Sequence, residues 1–173
     1  YFLIYMNIAD FNNTNYLPLL NGVLITDLIV ILLLNTRTIR SKVLNQWYLK
    51  YNLSAVMSDV FIILLAFIVT RYIYYYVFER YSLFKFIILA VAVQICHDIL
   101  FYILFSNIPR GVNQMMDTFK DYANELSYKA ILGDSTMMIV SAFISAYLYK
   151  QNKNTNIIVL ILSLYVLPYL LYF

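Results

Sequence analysis

Five stretches of this chain are long, apolar and almost free of charge: 17–34, 53–78, 81–105, 130–149 and 157–173. A helix crosses the hydrocarbon of a bilayer with about 20 mostly apolar residues, within a range of about 17–25. All five runs reach that length, the last only just. Water offers no alternative, because 63% of the residues are hydrophobic and only 12% charged. One soluble core of this size has no room for so much apolar surface. The fold class that follows is all-α: a polytopic transmembrane helix bundle forming one membrane domain over residues 1–173, with no length left for a second, soluble domain.

The flanks of the runs agree with this reading. The first is interrupted by Asn21, Thr26 and Asp27 and is followed by Arg37, Arg40 and Lys42, then Trp47 and Tyr48, a basic and aromatic membrane exit. The second holds Asp59 and Arg71 and closes on Glu79-Arg80; the third holds Lys85, Gln94, His97 and Asp98; the fourth holds Asp134. The eighteen tyrosines suit a bilayer interface, where the ring is apolar and the hydroxyl stays wet. Gln151 to Asn156 reads as a turn, and Pro168 near the end of the fifth run makes a tilted, truncated or partly inserted helix the expectation there.

Between the third and fourth runs, Pro109 and Gly111 make a break. Val112, Met115, Met116, Phe119, Tyr122, Ala123 and Leu126 then recur at helical spacing among polar residues, predicting an amphipathic interfacial helix over 112–127. Its polar face is slightly acidic, which argues against docking on anionic lipid through charge and favours packing over the bundle or against another protein. Met115, Met116, Phe119 and Tyr122 are the candidate partner surface.

Let side A be the face carrying the 35–52 and 106–129 connections, and side B the other. Side A holds Arg37, Arg40, Lys42, Lys50, Arg110, Lys120 and Lys129, against Arg80, Lys85, Lys150 and Lys153 on side B. The positive-inside rule then puts side A in the cytoplasm and the N-terminus outside, where the Asn12-Asn13-Thr14 sequon is open to glycosylation. The chain opens on Tyr1, with Met6 after a short apolar run, so either it is a fragment or translation begins at Met6 and residues 1–5 are not native. In neither case does a basic segment precede a cleavable apolar one, and no signal peptide is expected. A dispersed net charge of +3 gives no footprint for nucleic acid. With Cys96 the only cysteine and His97 the only histidine, Cys- and His-rich zinc sites and CxxC redox chemistry are excluded, and no metal or cofactor is expected.

One constellation can carry chemistry. Asp27 lies seven residues before the side-A end of its run, Asp59 six after the side-A start of its own, Asp98 seven before, and Asp134 four after. At about 1.5 Å per residue, all four fall roughly 6–11 Å beneath the same face. A charged side chain facing lipid near mid-membrane costs about 2–3 kcal/mol on insertion scales, so these acids are expected to face the bundle interior or a wet funnel open to side A. Gln94 shares a face with Asp98, whereas His97 is rotated by about 100°. The interfacial helix is placed to cover the layer, and Arg37, Arg110 or Lys129 to neutralise it from above. The structural reading is equally concrete: intramembrane polar residues hold helices together, and Asp134 beside Gly133 and Ser135 suits a helix cap.

Other residues invite simpler readings. Arg71 is about 18 Å along its helix from Asp59 and is expected to snorkel to side B. His97 reads as a hydrogen-bonded packing residue and Cys96 as a small buried apolar one. Ser141-x-x-x-Ser145 and Ala142-x-x-x-Ala146 let a neighbouring helix approach closely.

Several of these segments carry a resemblance: Trp47-Tyr48 followed by Leu53-Ser54-Ala55-Val56 and Asp59; Gln94 with His97-Asp98 and Phe101-Tyr102; Ile108-Pro109-Arg110-Gly111; Phe119-Lys120-Asp121-Tyr122-Ala123; and Ile131-Leu132-Gly133-Asp134-Ser135. Over roughly residues 20–173 the chain resembles a family of uncharacterised multi-pass membrane proteins of large nucleocytoplasmic DNA viruses. The resemblance implies a viral integral membrane protein, in the virion's internal membrane or a host endomembrane, and brings no activity with it.

Three functions remain open on the sequence. The first is a non-enzymatic structural or scaffolding role, with the bilayer and other membrane or capsid proteins, or further copies of the chain, as partners. The second is a small cation or proton channel or transporter using Asp27, Asp59, Asp98 and Asp134, supported by Gln94, His97 and Arg110. The third is an intramembrane aspartyl hydrolase, for which Gly133-Asp134 is the sole hint.

Overall fold

A computed structural model describes residues 7–173, and all regular secondary structure among them is helical. The readings made for residues 1–6 lie outside the described residues. The elements are α1 (Leu17–Asn35), α2 (Lys42–Tyr51), α3 (Leu53–Val77), α4 (Leu83–Asn107), α5 (Gln114–Leu126), α6 (Tyr128–Leu148) and α7 (Lys153–Leu171). Five of these, α1, α3, α4, α6 and α7, are long and apolar enough to cross a bilayer, and they make the chain a multi-pass membrane protein. Alternating direction puts α2 and α5 together on side A.

The spanning helices α1, α3, α4 and α6 close a ring of successive contacts, and α7 lies against α1 from outside. α1 is therefore bounded by α3, α6 and α7, and it buries Leu19, Val23, Leu24, Ile31 and Leu34. The tightest approach is between α1 and α6. A Cβ on Gly22 would lie 2.1 Å from the Ser145 hydroxyl oxygen and 2.9 Å from the Ser141 carbonyl, so only glycine fits between them. The small residues of α6 make this approach possible, as their spacing suggests.

α7 is fixed to α1 at both ends. The Asn21 side-chain amide donates to the Asn156 carbonyl (2.8 Å), and that of Asn35 donates to the Leu170 carbonyl (2.8 Å). Its start corrects the sequence reading, which ended the turn at Asn156. Asn152 accepts from the Thr155 amide at 2.8 Å and so caps a helix that already begins at Lys153, while Asn156 turns inward and is buried. α7 gains a turn on side B and remains one helix through Pro168, which sits in its last turn.

The helices outside the ring's interior leave Phe61, Leu65, Phe84, Ile88, Leu100, Phe143 and Leu162 exposed. Lipid is the medium that covers them. On side A each surface helix turns into the next span through a single residue with positive φ: Asn52 (φ 47°) between α2 and α3, and Ser127 (φ 51°) between α5 and α6. One residue per corner keeps each surface helix close over the bundle end.

Candidate functional site

α2 begins at Ser41, whose hydroxyl accepts from the Leu44 amide. A helix from this point carries Val43, Leu44, Trp47, Tyr48 and Tyr51 toward one side, and Trp47 and Tyr48 are buried under side A. There they meet the acid layer. The Tyr48 hydroxyl lies 2.7 Å from Asp27 Oδ1 and 3.0 Å from Asp59 Oδ2, and the Trp47 indole N–H donates to Asp59 Oδ2 at 2.9 Å. The two carboxylates of α1 and α3 are thus held within about 6 Å of each other by one phenol. A phenol has one proton to donate. Both contacts become hydrogen bonds together when one of the two carboxyls carries a proton and donates it to the Tyr48 oxygen. Asp27 is 0% exposed, and its second oxygen has no hydrogen-bond partner among the described residues. Burial first, then the negative charge of Asp59 and Asp27, pushes the Tyr48 hydroxyl well above the usual tyrosine range.

The other two acids form separate parts of the layer. The Gln94 amide donates to Asp98 Oδ1 at 2.7 Å, and His97 Nδ1 lies 3.3 Å from the same oxygen. Sequence geometry turned His97 away from this face; the imidazole nevertheless reaches the neighbouring carboxylate and stacks on Phe101. Asp134 is not a helix cap. α6 starts at Tyr128, with Ser127 in the capping position, so Asp134 sits in its second turn, where it is influenced by Asp98 and Asp59.

α5 lies over these acids. Its Phe119 ring meets Trp47 (4.9 Å between centroids), Phe101 (4.9 Å) and Phe105 (6.2 Å), and Met115 and Phe119 pack against the core. Much of the candidate partner surface is thereby spent on the bundle itself. Tyr122 completes the cover. Burial, then the charges of Asp134, Asp59, Asp98 and Glu125, raises its hydroxyl above the usual range. Three acids of the layer therefore act on one phenol above them.

The two surface helices are also joined to each other. Glu125 of α5 accepts from the Ser41 hydroxyl (2.7 Å) and from the amides of Lys42 (3.1 Å) and Val43 (3.2 Å), placing a carboxylate on the α2 N-terminus. Tyr51 and Thr118 share a hydroxyl–hydroxyl hydrogen bond of 2.9 Å. Arg110, expected as a neutralising cation, instead pairs with Asp121 on the surface at 2.9 Å.

Sequence reasoning named the four acids and Gln94 but treated Trp47 and Tyr48 only as an interface flank. The signal for α2 was there: a Ser41 cap followed by Leu44, Trp47, Tyr48 and Tyr51 at helical spacing. Two other expectations are overturned. Cys96 is exposed on α4 rather than buried, because that helix turns much of its surface outward. Arg71 does not snorkel to water. It is 0% exposed, since the segment before α1 folds over it and supplies the carbonyls of Asp10 and Asn13 as acceptors, with the Tyr16 ring 4.8 Å away.

Among the described residues, no three His, Cys, Asp or Glu side chains converge as a metal site requires. No family model, curated protein or solved structure matches this chain.

Proposed function

We propose that this chain is a structural protein of a membrane, whose side-A face is a rigid platform on which other proteins dock. The observation that carries the reading is the joint fixing of α2 and α5. Tyr48 and Trp47 tie α2 to acids on two spans, Glu125 ties α5 to the N-terminus of α2, and Phe119 seats α5 on the bundle. In this reading the acids serve as internal fasteners, and the outward residues of the platform, among them Leu49 and Val112, meet partners. The resemblance to membrane proteins of large DNA viruses supports the internal membrane of a virion as the place where this happens.

A photo-crosslinking amino acid at Leu49, Gln46 or Val112, with lipid-facing Leu65 as control, tests the platform in native membranes. Protein adducts at the first three positions and none at Leu65 are expected; adducts absent from all three sink the idea. One observation favours the second reading, a proton pathway: a single hydroxyl is shared by two carboxyls, an arrangement that passes protons as readily as it holds helices. Purified protein in liposomes with an internal pH dye separates the two. A proton flux that Asp59→Asn abolishes, in a variant that still inserts and folds, replaces the scaffold with a conductance.

A further inference from the structure

A cavity of about 240 Å³ opens at the side-A boundary of the membrane, between the end of α4 and the flank of α5. Tyr102, Phe105 and Ser106 of α4 line one side, with Arg110 from the connection and Lys120, Ala123 and Asn124 of α5 completing the lining. At about 30 Å³ for each water in the liquid, it has room for roughly eight waters. Its polar lining is donor-rich: a guanidinium, an ammonium, an amide and two hydroxyls, with no carboxylate among the residues that line it.

On sequence alone, α5 is slightly acidic and a poor match for an anion. The fold separates its charges. Asp117 accepts from the Gly111 amide at 2.8 Å, Asp121 is held by Arg110, and Glu125 faces the N-terminus of α2. Asp117 and Glu125 are therefore committed elsewhere, and Asp121 occupies one terminal nitrogen of Arg110 and offsets its charge. Lys120 is met by the Ile108 carbonyl, a dipole rather than a counter-charge, so a full positive charge remains at the cavity wall beside Arg110. Below the cavity, Ile103 and Leu104 are exposed on the spanning part of α4. A ligand entering here meets cations at headgroup height and an apolar helix beneath.

We propose that this cavity binds a phosphate group, presented by the headgroup of an anionic phospholipid whose acyl chains lie along α4. Basic pockets at the cytoplasmic ends of spanning helices suit such headgroups, and the excess of basic residues on side A assigns this end to the cytoplasm. Lys120 supplies the charge, Arg110 and Asn124 supply directed N–H donors, and the Tyr102 ring lies at the glycerol level.

The full-length protein, stripped of lipid in a neutral detergent, is titrated with phosphatidylglycerol, phosphatidylcholine or inorganic phosphate and followed by native mass spectrometry. One phosphatidylglycerol per chain is expected, held about tenfold more tightly than phosphatidylcholine. Arg110→Gln with Lys120→Gln is expected to weaken it by about tenfold or more, the scale of a lost charge-assisted hydrogen bond. Lys120→Arg keeps the charge and should retain the lipid, and Arg37→Gln with Arg40→Gln, neither of which lines the cavity, should leave binding unchanged. Equal retention by the Arg110/Lys120 double variant overturns the site. Inorganic phosphate binding at millimolar concentration in place of phosphatidylglycerol overturns the lipid as its source.

Discussion

The two ends of the bundle handle buried charge in opposite ways. On side A the charges are carboxylates, and they are met by side chains: Tyr48, Trp47, Gln94 and His97. On side B the buried charge is Arg71, and it is met by backbone carbonyls of Asp10 and Asn13. The difference follows from what a chain always has to offer. Any loop that folds back presents carbonyl acceptors, so a cation needs no particular residue opposite it. A carboxylate needs N–H or O–H donors, and where the backbone donors are engaged in helices these must come from chosen side chains. For buried charge, specificity of sequence is thus concentrated on side A, and the side-B seal around Arg71 is a matter of chain path.

Replacing Gly22 by Ala is expected to have the largest effect and to strike the helix contact that both ends share. The new methyl meets Ser145 and the α6 backbone, at a cost of about 3 kcal/mol. Thermal unfolding in detergent reads this directly, and a loss below ~1 kcal/mol means that α1 and α6 slide apart easily. Tyr48→Phe comes next: it removes the hydroxyl that bridges Asp27 and Asp59, for about 2–3 kcal/mol. Arg71→Met should cost less, about 1 kcal/mol, because freed loop carbonyls can turn toward water. If Arg71→Met proves the more damaging of the two, the contrast between the ends is inverted.

Two smaller effects sharpen it. Tyr48 and Tyr122 hold their protons above the usual tyrosine range when folded. The unfolded chain releases them near pH 10, so the stability they contribute is complete below about pH 10 and is lost as pH rises through their folded values. Tyr122→Phe should flatten this alkaline loss in a pH series of melting curves, and an unchanged slope removes Tyr122 from the acid layer. Asn52→Gly or Ser127→Gly should relieve a positive-φ corner and raise stability by about 0.5–1 kcal/mol. A destabilised Gly variant at either corner shows that the side chain there does more than tolerate the turn.

The five spans and the depth of the acids were legible because hydrophobic length and helical rise act within one segment at a time. Which acids meet was not. Asp27 and Asp59 are joined by Tyr48, a residue of a short helix that reads at first as a membrane flank. Nor was Arg71 legible, since its partners are carbonyls and carbonyls leave no mark on a sequence. The acidity of α5 misled for a related reason: summed charge hides that Asp117, Asp121 and Glu125 are each turned to a local partner.

α1 finds its tightest contacts, with α6 and α7, far downstream in the chain. Asn21 waits for Asn156, 135 residues later, and Gly22 waits for α6. At the usual pace of synthesis, about 5–20 residues per second, that interval lasts on the order of ten seconds. During it Asn21 resides in the membrane without its native partner, whereas Asp27 meets Tyr48 only 21 residues on. A chaperone or insertase that shelters this helix is the kind of helper its production calls for, and truncation before α7 should leave a protein that inserts but is rapidly degraded.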